Sequence, residues 1–272
     1  MNKKKKLLLF LGMAALIIVL TGCGTGQVDQ SSTGIWDRYI VYNFGRAIKF
    51  LSFGNAGIGI ILFTIVVRII LLPLMHFQNK SMRKTQELQP KLKELQEKYP
   101  SKDSESVRLL QEEQQKLYSE HGVNPFSGCL PLLVQLPIMM ALYQSISRIP
   151  SLQEGTFLWL HLSEPDRLFV LPVLAAIFTF LSSKLTSMAQ LEVQGSMKVM
   201  NYGMPIMIFV MAINLASGLS LYWVVSNAFQ VLQTLLINNP FKIRKEREEE
   251  EQRKRELQKA LRKANRPKKK RK

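Results

Sequence analysis

Arg68 sits inside the run Ile65-Val66-Val67-Arg68-Ile69-Ile70-Leu71-Leu72, with apolar residues on both sides and no carboxylate close by in the chain. A guanidinium keeps its charge at any physiological pH and presents five N–H donors that need acceptors. A charge at the centre of a bilayer costs about 3 kcal/mol on insertion scales. Arg68 lies about ten residues from either end of its apolar stretch, too deep for the side chain to snorkel to an interface. Its uncompensated charge calls for a water-filled cavity. Such a cavity attracts negative groups, either small anions or the acidic and polar parts of a polypeptide on its way across.

Other apolar stretches supply polar walls for it. Ser220, Trp223, Asn227, Gln230 and Thr234 recur at spacings of three and four, which places them in one stripe on a helix face. Thr64 stands one turn from Arg68, Gln135 lies between Pro131 and Pro137, and Ser182, Ser183 and Lys184 close a further apolar stretch. Each of these residues alone has an ordinary use as a hydrogen-bonding tie between helices. Arg68 is the exception, because its charge still requires solvent or an anion. Catalytic chemistry has no comparable support. His76, His121 and His161 lie in separate regions without ligand spacing, and Cys129 reads as a small buried hydrophobe. No catalytic residue, metal ligand, cofactor or small-molecule substrate is expected, so the chain does not read as an enzyme.

Helices must position these residues. The 272 residues are 47% hydrophobic and 21% charged, with a formal net charge of +17. That apolar fraction is ordinary, but its distribution is not. Apolar residues gather in blocks near the length that crosses a bilayer, and charges gather between and after them. The spans are predicted at residues 57–79, 125–148, 168–186, 202–216 and 218–238, and none of them contains Asp or Glu. With only two cysteines, helix packing rather than a disulfide framework must hold the bundle together. Five helices give few walls for a closed pore. The expected fold is therefore an all-α membrane protein whose five transmembrane helices enclose a hydrophilic groove.

Residues 1–22 read as a signal peptide, with four lysines, an apolar run and small residues before Cys23. Leu20-Thr21-Gly22-Cys23 is similar to the bacterial lipobox, which makes Cys23 the expected lipidation site. Residues 23–56 then form a lipidated linker and an amphipathic helix on the outer leaflet, with Trp36, Tyr39, Phe44 and Ile48 interleaved with Arg38, Arg46 and Lys49. Lys80, Arg83, Lys84, Lys91 and Lys93 follow the first span and a basic tail follows the last, whereas Arg148 and Arg167 are the only basic residues around the loop 149–167. The positive-inside rule then places the lipid-anchored N-terminus outside the bacterial cytoplasmic membrane and the C-terminus in the cytoplasm.

Residues 80–124 pattern as a cytoplasmic helical hairpin. Leu88, Leu92 and Leu95 face Val107, Leu110, Gln114 and Leu117 across the turn Pro100-Ser101-Lys102-Asp103, which ends one helix and offers a cap to the next. A cytoplasmic loop at 187–201 carries Met188, Met197 and Met200, adaptable contacts for apolar chains. The tail 239–272 holds 16 basic and 6 acidic residues from Phe241 onward. Such a run binds phosphate on RNA or on anionic lipid, or serves only to enforce orientation.

A lipobox, five spans, an arginine in the first, a helical hairpin after it and a basic tail together resemble the YidC/Oxa/Alb membrane insertases, in their Gram-positive lipoprotein form. The likeness covers about residues 35–237. It is carried by Asn124-Pro125-Phe126-Ser127-Gly128-Cys129-Leu130-Pro131, by Gln135-Leu136-Pro137 and by Leu221-Tyr222-Trp223. The resemblance implies that Arg68 receives polar segments of a substrate, with Gln135 and Trp223 at further groove positions. Many relatives carry glutamine where this chain has Ser182. It also implies nascent membrane proteins as substrates, the ribosome and the Sec translocon as partners beside membrane lipids, and no nucleotide or metal. A substrate's apolar helix would pass into lipid along spans one, three and five.

Overall fold

The computed structural model describes residues 24, 26–100, 103–124, 130–188, 195–237 and 239–264. The expected leader 1–22, the expected lipidation residue Cys23, residues 125–129 and the lysine-rich end 265–272 lie outside the described residues. A π-helical stretch Trp36–Val41 leads into α1 (Tyr42–Phe50), followed by α2 (Ala56–Ile70), α3 (Leu72–Glu87), α4 (Gln89–Lys98) and α5 (Ser104–Glu120). Then come α6 (Leu130–Arg148), α7 (Pro150–Gln153), α8 (Val170–Met188), α9 (Gly195–Ile213), α10 (Ser217–Ile237) and α11 (Pro240–Ala264). Between α7 and α8, β1 (Thr156–Phe157) and β2 (Leu160–His161) pair antiparallel.

Local chemistry sets the helix ends. α2 begins where the Asn55 side chain accepts hydrogen bonds from the Gly57 and Ile58 amides, at 3.0 and 3.3 Å, relieving two orphan donors. It stops at Leu71, because Pro73 has no N–H to give and its ring crowds the carbonyl of Ile69. α3 resumes at an angle of 55°. The stretch 57–79 is thus broken near its middle rather than continuous. Pro90 makes a similar break between α3 and α4. Among the described residues two helices, α8 and the one that starts at Ser217, are long and apolar enough to cross a membrane alone, and the bent α2–α3 pair adds a third if read as one span. α9 begins at Gly195, so the second half of the expected loop 187–201 is helical.

α10 is the centre of the bundle and packs on α8, α2 and α6. α9 lies on the far side of α8, and α1 crosses α2 and α6. The densest core gathers at the end that bears the β-hairpin, where Ile48, Ile60, Leu142, Ile146, Leu152, Leu162 and Leu219 are all buried. Two glycines allow that density. A side chain at Gly59 would collide with the carbonyl of Ile48, and a Cβ at Gly218 would stand 2.8 Å from Ile146 Cδ1. The connection between α7 and α8 is stitched to the start of α10 by Ser217 N donating to Glu164 O at 2.7 Å and Gly218 N to Leu162 O at 2.9 Å.

The N-terminal linker is bound to that same end. Arg148, at the last turn of α6, donates from Nη1 and Nη2 to the two carboxylate oxygens of Asp37 at 2.9 and 2.6 Å, and from Nε to Gly26 O at 2.7 Å. Gln144 Oε1 accepts from Arg148 Nη1 and from Trp36 Nε1, both at 3.0 Å. Val28 donates its amide to Arg148 O and buries its side chain beside Trp36, Val41 and Ala141.

At the opposite end, α4 and α5 form the expected hairpin. Asp103 caps α5 by accepting from the Glu105 and Ser106 amides. Leu88 and Leu92 meet Leu117, Tyr118 and Val123, whereas Val107, expected in that seam, is 40% exposed. Lys98 Nζ and Tyr99 Oη both donate to Glu113, at 2.9 and 2.8 Å. These bonds hold the Glu113 carboxyl below its ordinary pKa, and the Glu113 partnership raises that of Lys98. α11 is polar on all sides and is braced by pairs one turn apart, Arg244–Glu248 at 2.8 Å and Glu250–Lys254 at 2.7 Å.

Candidate functional site

The side of α10 that faces α2 and α6 carries Tyr222, Ser226, Gln230 and Thr234, each four residues from the last. Arg68, near the end of α2, reaches across to this column. Its Nε donates to Ser226 Oγ at 3.2 Å and its Nη1 to Gln230 Oε1 at 3.4 Å. One turn towards the hairpin end, Gln135 of α6 donates from Nε2 to Tyr222 Oη at 2.7 Å. Three helices therefore meet through neutral polar groups, with one guanidinium among them. No carboxylate pairs with Arg68 among the described residues.

The other expected residues take different places. Thr64 is fully buried and donates to Ile60 O of its own helix at 2.6 Å. Ser182 donates to Thr179 O, and Asn227 donates to Trp223 O. Each spends its hydrogen bond on the preceding turn, the usual behaviour of such side chains inside a helix. Trp223 packs against the main apolar cluster. Of the stripe 220-223-227-230-234 read from spacing, Gln230 and Thr234 lie in the observed column, whereas Trp223 and Asn227 are each displaced by one residue, roughly 100° of helix, from Tyr222 and Ser226. Tyr222 and Ser226, which spacing-based reading passed over, are the direct partners of Gln135 and Arg68. Their signal was the repeat of four from Tyr222 through Thr234, all residues able to hydrogen-bond.

Among the described residues, several polar oxygens of the bundle are buried without a protein partner, namely Ser220 Oγ and Gln233 Oε1 on α10, Thr179 Oγ1 on α8 and Gln78 Oε1 on α3. Groups of this kind are normally satisfied by ordered water. The expectation that Arg68 must be satisfied by solvent or an anion needs amendment, because Ser226 and Gln230 meet part of its hydrogen-bonding demand. They are neutral, so its charge stays uncompensated. The expected path along spans one, three and five also meets an obstacle, since α10 is packed on both α2 and α8 to form a single wall. Apolar side chains are also exposed on α6, at Leu133 and Leu136, and on α9, at Met204, Met207 and Met211.

His76, His121 and His161 fall on α3, the end of α5 and β2, and no group of potential metal ligands forms among the described residues.

The family model described as "60Kd inner membrane protein" matches residues 48–246. The chain is 68% identical over 271 residues to the membrane protein insertase YidC of Enterococcus faecalis, covering 99% of this chain and 98% of that one. It is 55% identical over 241 residues to membrane protein insertase YidC 1 of Lactococcus lactis, covering 88% and 89%. The crystal structure of an active YidC insertase with its first transmembrane domain resolved superposes with a TM-score of 0.58 at 30% identity, over 75% of this chain. The match spans 47% of that solved chain, about half its length. Bent and polar-lined as its central helices are, the chain belongs to the 60Kd inner membrane protein family of YidC insertases and is an integral membrane protein.

Proposed function

We propose that this protein integrates newly made proteins into the bacterial cytoplasmic membrane through a hydrated groove centred on Arg68. One observation carries the reading. A permanent positive charge is held in the bundle by the neutral oxygens of Ser226 and Gln230, with no carboxylate among the described residues to neutralise it. Such a charge lowers the cost of bringing an acidic or polar peptide segment into the bilayer. The buried, unpartnered oxygens of Gln233 and Thr179 support water within the bundle.

In this reading α2–α3, α6, α8, α9 and α10 are the five spans, with α2–α3 bent at Leu71, just past Arg68. The β-hairpin end faces outward and Cys23 carries the lipid anchor. The leading polar segment of a substrate enters beside Arg68. Its apolar helix leaves for lipid between α6 and α9, whose exposed Leu133, Leu136, Met204, Met207 and Met211 offer an apolar surface. Burial of that helix supplies the driving force, so no nucleotide, metal or catalytic residue is required. The α4–α5 hairpin and the basic tail meet the ribosome or anionic lipid, and the protein works alone or beside the Sec translocon.

The test is insertion of a small single-span substrate with an acidic leading segment into proteoliposomes. Wild type should insert it, and Arg68→Ala should lose that activity. Full activity of Arg68→Ala sinks the groove-charge mechanism. Chloride flux without insertion by the wild type would make the protein an anion channel instead.

A further inference from the structure

We propose that the tip of the β-hairpin and the start of α8 form a rigid wedge seated in the headgroup–acyl boundary of the outer leaflet, with phospholipid as its partner. This rests on the reading of α8 as a membrane span whose N-terminal end faces outward.

The first observation is a mismatch between residue type and backbone. β1 and β2 pair as Thr156↔His161 and Phe157↔Leu160, leaving Leu158 and Trp159 as a two-residue turn. Turns of this length favour Asn-Gly, Asp-Gly or an initial glycine, because the first position needs a positive φ. Here that position is Leu158, at φ +55 and 73% exposed. Phe169, just before α8, repeats the pattern at φ +56 and 47% exposed, beside Leu168 at 62%. A large side chain rarely adopts this conformation, and in water its exposure adds a second penalty. At a membrane interface the exposure is favourable, and aromatic residues are enriched there.

The second observation is that one carboxylate locks both sites together. Asp166 is buried, and its Oδ1 accepts from Trp159 Nε1 at 3.1 Å and from the Leu168 amide at 3.0 Å. Its Oδ2 accepts from the Leu171 amide at 2.8 Å. The hairpin tip and the first turn of α8 are therefore held as one piece, with the indole N–H satisfied from the protein side.

The third observation identifies the occupant. Val170, Val173, Ile177 and Leu181 are exposed along one flank of α8, at the spacing of a single helix face. Leu168 and Phe169 continue that flank beyond the helix end, and the turn joins it through Asp166. A surface continuous with the lipid-facing side of a span faces lipid as well.

The proposal is tested with spin labels on Leu158→Cys, Leu168→Cys, Ile177→Cys and Gln153→Cys in a Cys129→Ser background, with Cys23 blocked by its own acylation. The proteins are reconstituted in phosphatidylglycerol–phosphatidylcholine vesicles, and collisions with oxygen and with a neutral nickel chelate are compared. Labels at 158 and 168 should show an oxygen-to-nickel ratio several-fold above that at the solvent-exposed Gln153 position and below that at 177. Ratios at 158 and 168 equal to that at 153, with 177 still reading as lipid, would overturn the wedge while leaving α8 as a span. An aqueous reading at 177 would overturn both. Dipolar broadening at 158 that persists on dilution with lipid would assign this face to a second copy of the chain, and that also overturns the proposal.

Discussion

Arg148 and Asp37, 111 residues apart, are joined by two parallel hydrogen bonds, and Gly24 lies against the same pair. A Cβ at Gly24 would meet Arg148 Nη2 at 2.7 Å. The chain is therefore pinned to the end of α6 at Gly24, one residue after the proposed lipid anchor. Arg148→Gln leaves Asp37 half-buried without its counter-charge, and we expect a loss on the order of 3 kcal/mol. Limited proteolysis in proteoliposomes should then cut residues 27–34 faster than in the wild type. Protection unchanged in the variant would show that the clamp does not hold the linker.

Ser226 and Gln230 hold Arg68 but do not supply its charge. Replacing both, as Ser226→Ala with Gln230→Leu, removes two hydrogen bonds to a charged group at about 1.5 kcal/mol or more each. Insertion should fall roughly tenfold or further, while Arg68→Lys, which keeps the charge without the fork, should retain an intermediate rate. Insertion yield in proteoliposomes reads this directly. Equal activity of the double variant and the wild type would mean that Arg68 needs no positioning from α10.

Tyr222→Phe removes the hydroxyl that accepts from Gln135 and changes little else. The cost should be about 1 kcal/mol, the typical price of one lost hydrogen bond, read as a lower melting temperature in detergent. Gln135→Leu, which removes the other partner of the same bond, should not add to it. Additive losses in the double variant would show that the two side chains act independently.

The α4–α5 brace has a pH signature. Glu113 is depressed in the folded hairpin, so its contribution is present above the ordinary carboxylate range and disappears as pH falls through the depressed value. Lys98 is raised, so its contribution disappears only as pH climbs past the ordinary lysine range. A distance measured between labels on α4 and α5 should stay constant between about pH 6 and 8 and lengthen only in acid or strong alkali. Glu113→Gln should weaken the brace at neutral pH and abolish the acid transition. Opening near neutrality would assign control to another group.

Much of the architecture was legible because it rests on periodicity and punctuation. The hairpin was set by Pro100 and the Asp103 cap, and Arg68 announced itself as a charge in an apolar run. The break at Leu71 was carried by Pro73, yet the apolar residues continue past it, so composition alone hid the bend. The polar face of α10 was misjudged because Trp223 and Asn227 are polar in type but spend themselves on packing and on their own helix. Ser226 is small enough to pass unnoticed and sits where Arg68 can reach it. Arg148 and Asp37 could not be paired from spacing, since nothing local links residues so far apart. A β-turn built from Leu158 and Trp159 carries none of the usual turn residues.

The close approach at Gly59 and Gly218 gives the bundle a mechanical character. Helices α1, α2, α6 and α10 are packed closely at the β-hairpin end, with Gly59 against the Ile48 carbonyl and Gly218 against the Ile146 side chain, whereas Arg68 is joined to α10 by polar side-chain contacts. Such an assembly moves like a pair of tongs. A tilt of about 5° at the closely packed end carries the tip of a helix as long as α10 through about 3 Å. On the proposed function, the space beside Arg68 would then widen or narrow to suit the bulk of each passenger while the apolar core stays undisturbed.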